Sequence, residues 1–504
     1  MYKFWILPSF QFQAPCKAPW PPGLSLFQMC RFKRLCMFFA SCVLGWDNRA
    51  KRTILQGSSL AQTFTPKGYW GAMDGKDHLA APLLGKKGPS LTPLYAVSLL
   101  RTTAVAIAMI PAFNLRVSAL GKAAGYDSAA VANALGLITA LRSFSEFTAA
   151  PLLASWSDRQ GRKRALLMSS VAFVLEAALI AVSPGLLMMG LVHVTAGFLA
   201  SNGAIETSCI ADATPAGPRR AVAVGRFLTV VGAALVLGAF CGGLLLEHWG
   251  GRSPFACAAV LAFVAVLALI SFVPEYLPPS RRSQTSKSTP ALAALQLLVQ
   301  TPSLRWYAAA SGLFSLGMAV YGTVNVLWLK EAFGWNGQDV GHFLSAVGAA
   351  LMISQVIFLP VLLRVAKGRE SWVVQGAIVL HAIKFVGYAW APRGCWAYAV
   401  LAVSSPTFCA APILTSLCTR HVPATQQGLW SGSASALSTA ANVVGALIGS
   451  RLLALALDGH LPLGSPLYAG TVFHLMAALC VGCGSRLPEK KADEPAPEDS
   501  VAGA

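Results

Sequence analysis

The chain has 504 residues, of which 55% are hydrophobic and only 12% charged, and its mean hydropathy is +0.59. That balance excludes an ordinary water-soluble globular protein and marks an integral membrane protein. The net charge of +19 sits in short turns between apolar segments rather than along one face, which argues against a nucleic-acid binder and for charge that sets membrane topology.

Residues 1–93 differ from the rest. The first 46 hold no Asp or Glu but carry Lys3, Lys17, Arg31, Lys33 and Arg34, and their apolar run, Leu35 to Trp46, is short for a span. A targeting segment, a disordered leader and a mis-started reading frame all fit. Residues 51–93, rich in Gly, Pro and Lys, read as a cytosolic tail. From about residue 94 the pattern becomes regular and predicts twelve spanning helices: 94–115, 128–155, 165–183, 186–209, 221–247, 254–273, 304–329, 339–363, 371–390, 395–418, 428–455 and 466–485. The expected organisation is therefore a leader and tail (1–93), a six-helix bundle (94–273), a central loop (274–303), a second bundle (304–487) and a disordered tail (488–504).

Lys and Arg crowd the turns of one side, from Arg159 through Arg420, while the other side holds Arg116, Lys122, Arg252, Lys330 and Arg393. The bias places both termini in the cytosol and leaves the membrane concerned unspecified. The two halves also resemble each other. Gly125-Tyr126-Asp127 and Gly334-Trp335-Asn336 open corresponding spans, with Val131 and Pro151 matched by Val340 and Pro360. Gly225, Gly238 and Gly242 match Gly432, Gly445 and Gly449. A common offset close to 208 residues is what a duplicated six-helix unit leaves.

The turn after the second span, Ala154-Ser155-Trp156-Ser157-Asp158-Arg159-Gln160-Gly161-Arg162-Lys163, resembles the loop signature between helices two and three of the major facilitator superfamily, with Ala154 where glycine is usual. Gly238-Ala239-Phe240-Cys241-Gly242-Gly243 is similar to the fifth-helix signature of its antiporter branch, with Ala239 in place of proline. Ile210-Ala211-Asp212 and Val273-Pro274-Glu275 resemble the subgroup of tetracycline exporters and hippocampus-abundant-transcript proteins. The resemblance covers residues 94–487. It implies twelve helices in two pseudo-symmetric bundles and a secondary transporter working by alternating access. The solute would be small and organic, exchanged for protons. A uniporter or symporter for a sugar or metabolite, and a non-transporting receptor or scaffold, are the alternatives. Membrane lipid is the other expected partner, nucleic acid is not, and the chain is expected to be a monomer.

Candidate residues follow from the cost of burying charge, roughly 2.5–3.5 kcal/mol at mid-helix on insertion scales. Arg142 and Glu146 share a face of the second span, and Glu146 lies twelve residues, about 18 Å, from Asp158. His193 stands four residues before Gly197, where the antiporter branch has Arg; it serves the proton or simply bonds between helices. Glu176, Lys384 and His381 also fall near mid-membrane, but the resemblance puts helices three, six, nine and twelve outside the cavity. Asn114, Tyr321, Asn325, Gln355 and Asn442 are candidate cavity residues or interhelical glue. Asp158, Arg159, Gly161, Arg162 and Lys163 form either a gate or a purely topological turn. Gly238, Gly242, Gly243, Gly445 and Gly449 are expected to pack helices closely and so allow the halves to rock. The sequence offers no nucleotide loop, metal cluster or nucleophile constellation, so neither an enzyme nor a cofactor is expected.

Overall fold

The computed structural model describes residues 89–200, 202–214, 218–282, 302–366, 368–422 and 427–487. Expectations for the leader, most of the central loop and the C-terminal tail lie outside them. The described residues form twelve helical rods: α1 (Thr92–Ala123), α2 (Ser128–Gln160), α3 (Arg162–Val182), α4 (Leu186–Ala213), α5 (Pro218–Trp249), α6 (Ser253–Phe272), α7 (Pro302–Phe333), α8 (Gly337–Ala366), α9 (Glu370–Ala389), α10 (Gly394–Thr419), α11 (Gln427–Leu457) and α12 (Ser465–Ser485). Eleven are long and apolar enough to cross a membrane. The remaining rod is α2, whose Arg142, Glu146, Asp158 and five serines lower its apolarity.

Local chemistry explains where the rods begin. Gly125 and Gly334 take φ of 84° and 67°, a left-handed backbone that glycine adopts without a Cβ clash. Asp127 then caps α2 by accepting from Ala130 N at 2.7 Å. Its counterpart Asn336 accepts from Asp339 N at 2.9 Å while its own N–H donates to Asp339 Oδ2 at 3.2 Å, a reciprocal cap. The tripeptide shared by the two halves is thus one turn-and-cap device used twice. The other positive-φ glycines pair the same way, Gly161 with Gly368 and Gly250 with Gly459. The duplication is therefore visible in backbone conformation as well as in composition.

Several rods are not continuous α-helix. In α1, Ala108–Ala112 is a π segment around Pro111; α8 has another at Ser354–Phe358. Ser405–Cys409 of α10 is 3-10 helix beginning at a Ser-Pro pair, and α4 breaks after Gly197. Such irregular backbone survives in a spanning segment where neighbours satisfy it. Ser354 Oγ lies 3.1 Å from Cys409 Sγ, and Gln355 Nε2 donates to the Phe408 carbonyl at 3.0 Å, so the irregular parts of α8 and α10 satisfy each other.

The halves meet through α2 against α11 and α5 against α8. Gly136 faces the Ser450 side chain and the Ala446 carbonyl, Gly243 faces Gly337 and Gly341, and Gly348 faces Val236. Ser345 Oγ donates to the Val236 carbonyl at 3.0 Å. Asn114 Nδ2 reaches the Thr323 carbonyl at 3.4 Å across a separation of 209 residues, so repeat-related positions of α1 and α7 touch near the pseudo-twofold axis. These contacts lie towards the helix ends opposite the Asp158 turn or at mid-helix. Nearer that turn, Gly225 of α5 and Gly432 of α11 have open space where a side chain would point.

Candidate functional site

Charged side chains converge between α1, α2, α3 and α4. Arg142 of α2 donates through Nη1 to Glu176 Oε1 of α3 at 2.6 Å and to the His193 carbonyl of α4 at 2.9 Å. His193 Nδ1 lies 2.7 Å from the same carboxylate oxygen, and its ring packs against Phe113 with centroids 4.0 Å apart and planes tilted by 31°. Both Glu176 and His193 are buried. Gly197 makes the approach possible, because a Cβ there would lie 2.7 Å from the Arg142 carbonyl.

A second pair stands beside the first. Arg101 of α1 grips Glu206 of α4 with Nη2 at 2.8 Å and Nε at 3.3 Å, and Ser98 Oγ donates to the same carboxylate at 2.6 Å. Between the pairs lies a cavity of about 230 Å³, lined by Arg101, Arg142, Glu146, Ser169, Glu176 and Asn202 among others. Arg101 balances Glu206 and Arg142 balances Glu176. Glu146 is the carboxylate left over: half-buried on the cavity wall, it has no hydrogen bond or ion pair with the described residues. The i,i+4 pairing of Arg142 with Glu146 is not formed; the guanidinium turns to α3 and α4 instead. Helix three, expected outside, supplies Glu176 and Ser169 to the cavity.

The turn after α2 is a separate construction. Arg162, 12% exposed at its side chain, pairs with Asp158 at 2.6 Å and with Asp212 of α4 at 2.8 Å, and donates to Ser157 Oγ at 3.0 Å. Glu275, just after α6, caps the start of α3 by accepting from Arg162 N at 2.8 Å and Lys163 N at 3.2 Å, where free amides and the helix dipole favour an anion. Lys163 Nζ donates to the Ile270 carbonyl at 2.8 Å, and Arg282 lies 3.8 Å from Glu275. Gly161 takes φ 105°, a positive-φ backbone that residues with a Cβ rarely adopt, and a Cβ there would run into the Glu275 carboxylate. Arg159 is exposed. Every partner belongs to the first half. The repeat of this turn contains Lys367, which falls outside the described residues.

The remaining candidates disperse. Asn114 is buried between α1 and α7, and Gln355 is tied to α10. Tyr321 packs on Phe385, with centroids 5.1 Å apart. Asn325 is half-buried and Asn442 exposed. Gly238 and Gly242 pack on Thr103, Ala106 and Ile107 of α1, and Gly445 and Gly449 on Ala319 and Val320 of α7. Those four rest within their own halves, and Gly243 alone of the five meets the other half.

Twelve rods in two repeated sets, with paired charges inside one set and a braced basic turn at its edge, define a multi-pass membrane transporter. The profile of the Major Facilitator Superfamily matches residues 91–450, and the chain belongs to that superfamily. Tetracycline resistance protein, class D, of Salmonella ordonez is 27% identical over 319 residues, which cover 63% of this chain and 79% of that one. Multidrug resistance protein 2 of Bacillus subtilis is 25% identical over 368 residues, covering 71% and 87%. Among solved structures, the human organic anion transporter MFSD10 (TETRAN) matches with a TM-score of 0.60 at 19% identity, covering 78% of this chain and 98% of the other.

Proposed function

We propose that the chain exchanges a small organic solute for protons by alternating access. The observation that carries the reading is Glu146, the carboxylate on the cavity wall that makes no ion pair with the described residues while Arg142, one turn away, is engaged by Glu176. Such a group holds a proton or a cationic part of a solute but not both at once, and exclusive occupancy by two cargoes is the minimal device for exchange. The tetracycline and multidrug resistance relatives support a drug-like solute. Arg142, Glu176 and His193 hold the cavity wall in place and adjust to the charge state of Glu146. We read the Lys and Arg bias as setting the basic turns and both termini in the cytosol, so the end at which Gly225 and Gly432 have open space would face inward.

The test is flux into proteoliposomes, with tetracycline as the first of a panel of drug-like probes, against an imposed pH gradient. Wild-type flux is expected to accelerate severalfold with the gradient, and Glu146→Gln to lose that response while still exchanging solute for solute. Transport by the wild type that ignores the gradient would remove the antiport reading.

A further inference from the structure

The second half holds a basic cluster that the proposed exchange does not use. Lys384 and His381 share a face of α9 and are 5% and 1% exposed. The fully buried His474 of α12 lays its ring on that of His381, centroids 4.6 Å apart and planes within 5°. Phe314 and Phe385 stand edge-on to the stack, and the Lys384 ammonium lies 5.5 and 5.0 Å from the ring centroids of Phe385 and Phe408. His474 Nδ1 donates to the Gly470 carbonyl at 2.6 Å, which leaves Nε2 as an acceptor. That nitrogen and both ring nitrogens of His381 lack a hydrogen-bond partner among the described residues.

Among the described residues no carboxylate answers this cluster. The helices around it present Tyr321 from α7, Ser354 and Gln355 from α8, Tyr388 from α9, and Phe408 and Cys409 from α10, none of them charged near neutral pH. The described acids of these helices, Glu331, Asp339 and Glu370, stand at helix ends. The repeat sharpens the contrast. The offset that carries the start of α3 onto the start of α9 carries Glu176 onto Lys384 and His193 onto Leu401. The first half thus holds a buried acid with two basic partners, and the second half a buried base with none.

A fixed ammonium in that position would be an unpaired charge in a low-dielectric interior, whereas a charge that comes and goes avoids a permanent cost. Mutual repulsion keeps two imidazoles in flat contact and a neighbouring amine from carrying more than one positive charge together. Parallel rings also aim their lone pairs side by side rather than at one point, which disfavours a shared metal ion. We infer that Lys384, His381 and His474 form a proton-binding site in the second half, accepting one proton from water on Nζ or a ring nitrogen and returning it there. It adds to the proton pathway proposed above, and its test needs no solute.

The purified full-length chain in lipid nanodiscs, jumped from about pH 9 to about pH 6, a range spanning imidazole and a perturbed amine, reports proton uptake through a soluble pH dye. Because either imidazole can take the shared proton once Lys384 is gone, the triple variant Lys384→Met/His381→Phe/His474→Phe is expected to take up about one proton per chain fewer than wild type. Glu146→Gln should show its own deficit, additive with the first. A folded, monodisperse triple variant with wild-type uptake overturns the inference, because a purely packing role leaves proton counts unchanged. Should the triple variant not fold, Lys384→Arg keeps shape and charge but cannot release a proton at these pH values, and its fixed charge keeps the neighbouring imidazoles neutral. The same deficit is expected there, and undiminished uptake in that variant equally refutes the site. Loss of solute coupling in Glu146→Gln with the Lys384 deficit intact would separate failure of the antiport reading from failure of this one.

Discussion

Arg142 touches α3 and α4 at once, and a guanidinium so placed cannot lose its acid without leaving a largely buried charge short of its partner. Replacing Glu176 by Met is therefore expected to destabilise the first half by about 3–5 kcal/mol, while the Arg142→Met/Glu176→Met double variant recovers most of that loss, because a buried pair replaced as a unit is often close to neutral. Unfolding of single and double variants in mixed micelles reads the coupling directly. Equal destabilisation by the single and the double variant would mean that the pair is not the unit. Charge inside a span pointed to Arg142 and Glu146 from the sequence alone, but not to their partners. An i,i+4 spacing is visible along one helix, whereas Glu176 and His193 come from helices whose rotation only packing decides. Arg101 and Glu206 were reachable by the same reasoning, since each is a charged residue within a predicted span, and they escaped because neither has a neighbour in its own helix to draw attention to it.

Elements are held by two different devices, brace and close approach. Arg162 ties α3 to α2 and α4, and Glu275 ties its first turn to the end of α6. Arg162→Ala is expected to cost about 1–2 kcal/mol by removing several charge-assisted bonds to the partly exposed Asp212 and Asp158. Asp158→Asn keeps the Asp212 pair, so it should cost under about 1 kcal/mol and slow transport without abolishing solute binding. Thermal unfolding separates the two variants, and equal shifts would show that the brace does not run through Asp212. The glycine rows make the second device. Gly449 faces the Val320 carbonyl, so Gly449→Leu should push α11 off α7 at a cost of about 1–3 kcal/mol. Gly432, with open space before it, should tolerate Ala and gain about 0.5–1 kcal/mol from helix propensity. Rod positions and the turn-and-cap repeats were legible because composition and capping chemistry are local. The π segments of α1 and α8 and the break in α4 were not. A shift of hydrogen-bond register depends on what the neighbouring helix offers the freed groups, and only Pro111 and Pro360, one at each π segment, hinted at them.

For the molecule as a whole, the decisive feature is that the two halves touch unevenly. Gly136 on Ser450, Gly243 on Gly337 and Gly348 on Val236 close one end, while Gly225 and Gly432 look into open space towards the other. If alternating access is rigid rocking of two repeats about a shared axis, the α2 to α11 seam must part once in every cycle, and the Asn114 to Thr323 contact near the axis should move least. A covalent staple across the seam tests this. With Cys16, Cys30, Cys36, Cys42 and the exposed Cys257, Cys395 and Cys483 replaced, Gly136→Cys with Ser450→Cys sets two thiols on facing helices that form a disulfide once the helices ease apart, because a Cβ at Gly136 falls closer to the Ser450 Cβ than the roughly 3.5–4.5 Å a disulfide spans. Oxidation is expected to stop net flux, and reduction to restore it. The single variants and the reduced pair should transport at rates limited only by the crowding of the new side chain. A fully cross-linked protein that still turns over would mean that the closed end never opens, and solute would then have to pass within the first half alone, through the cavity between α1 and α4.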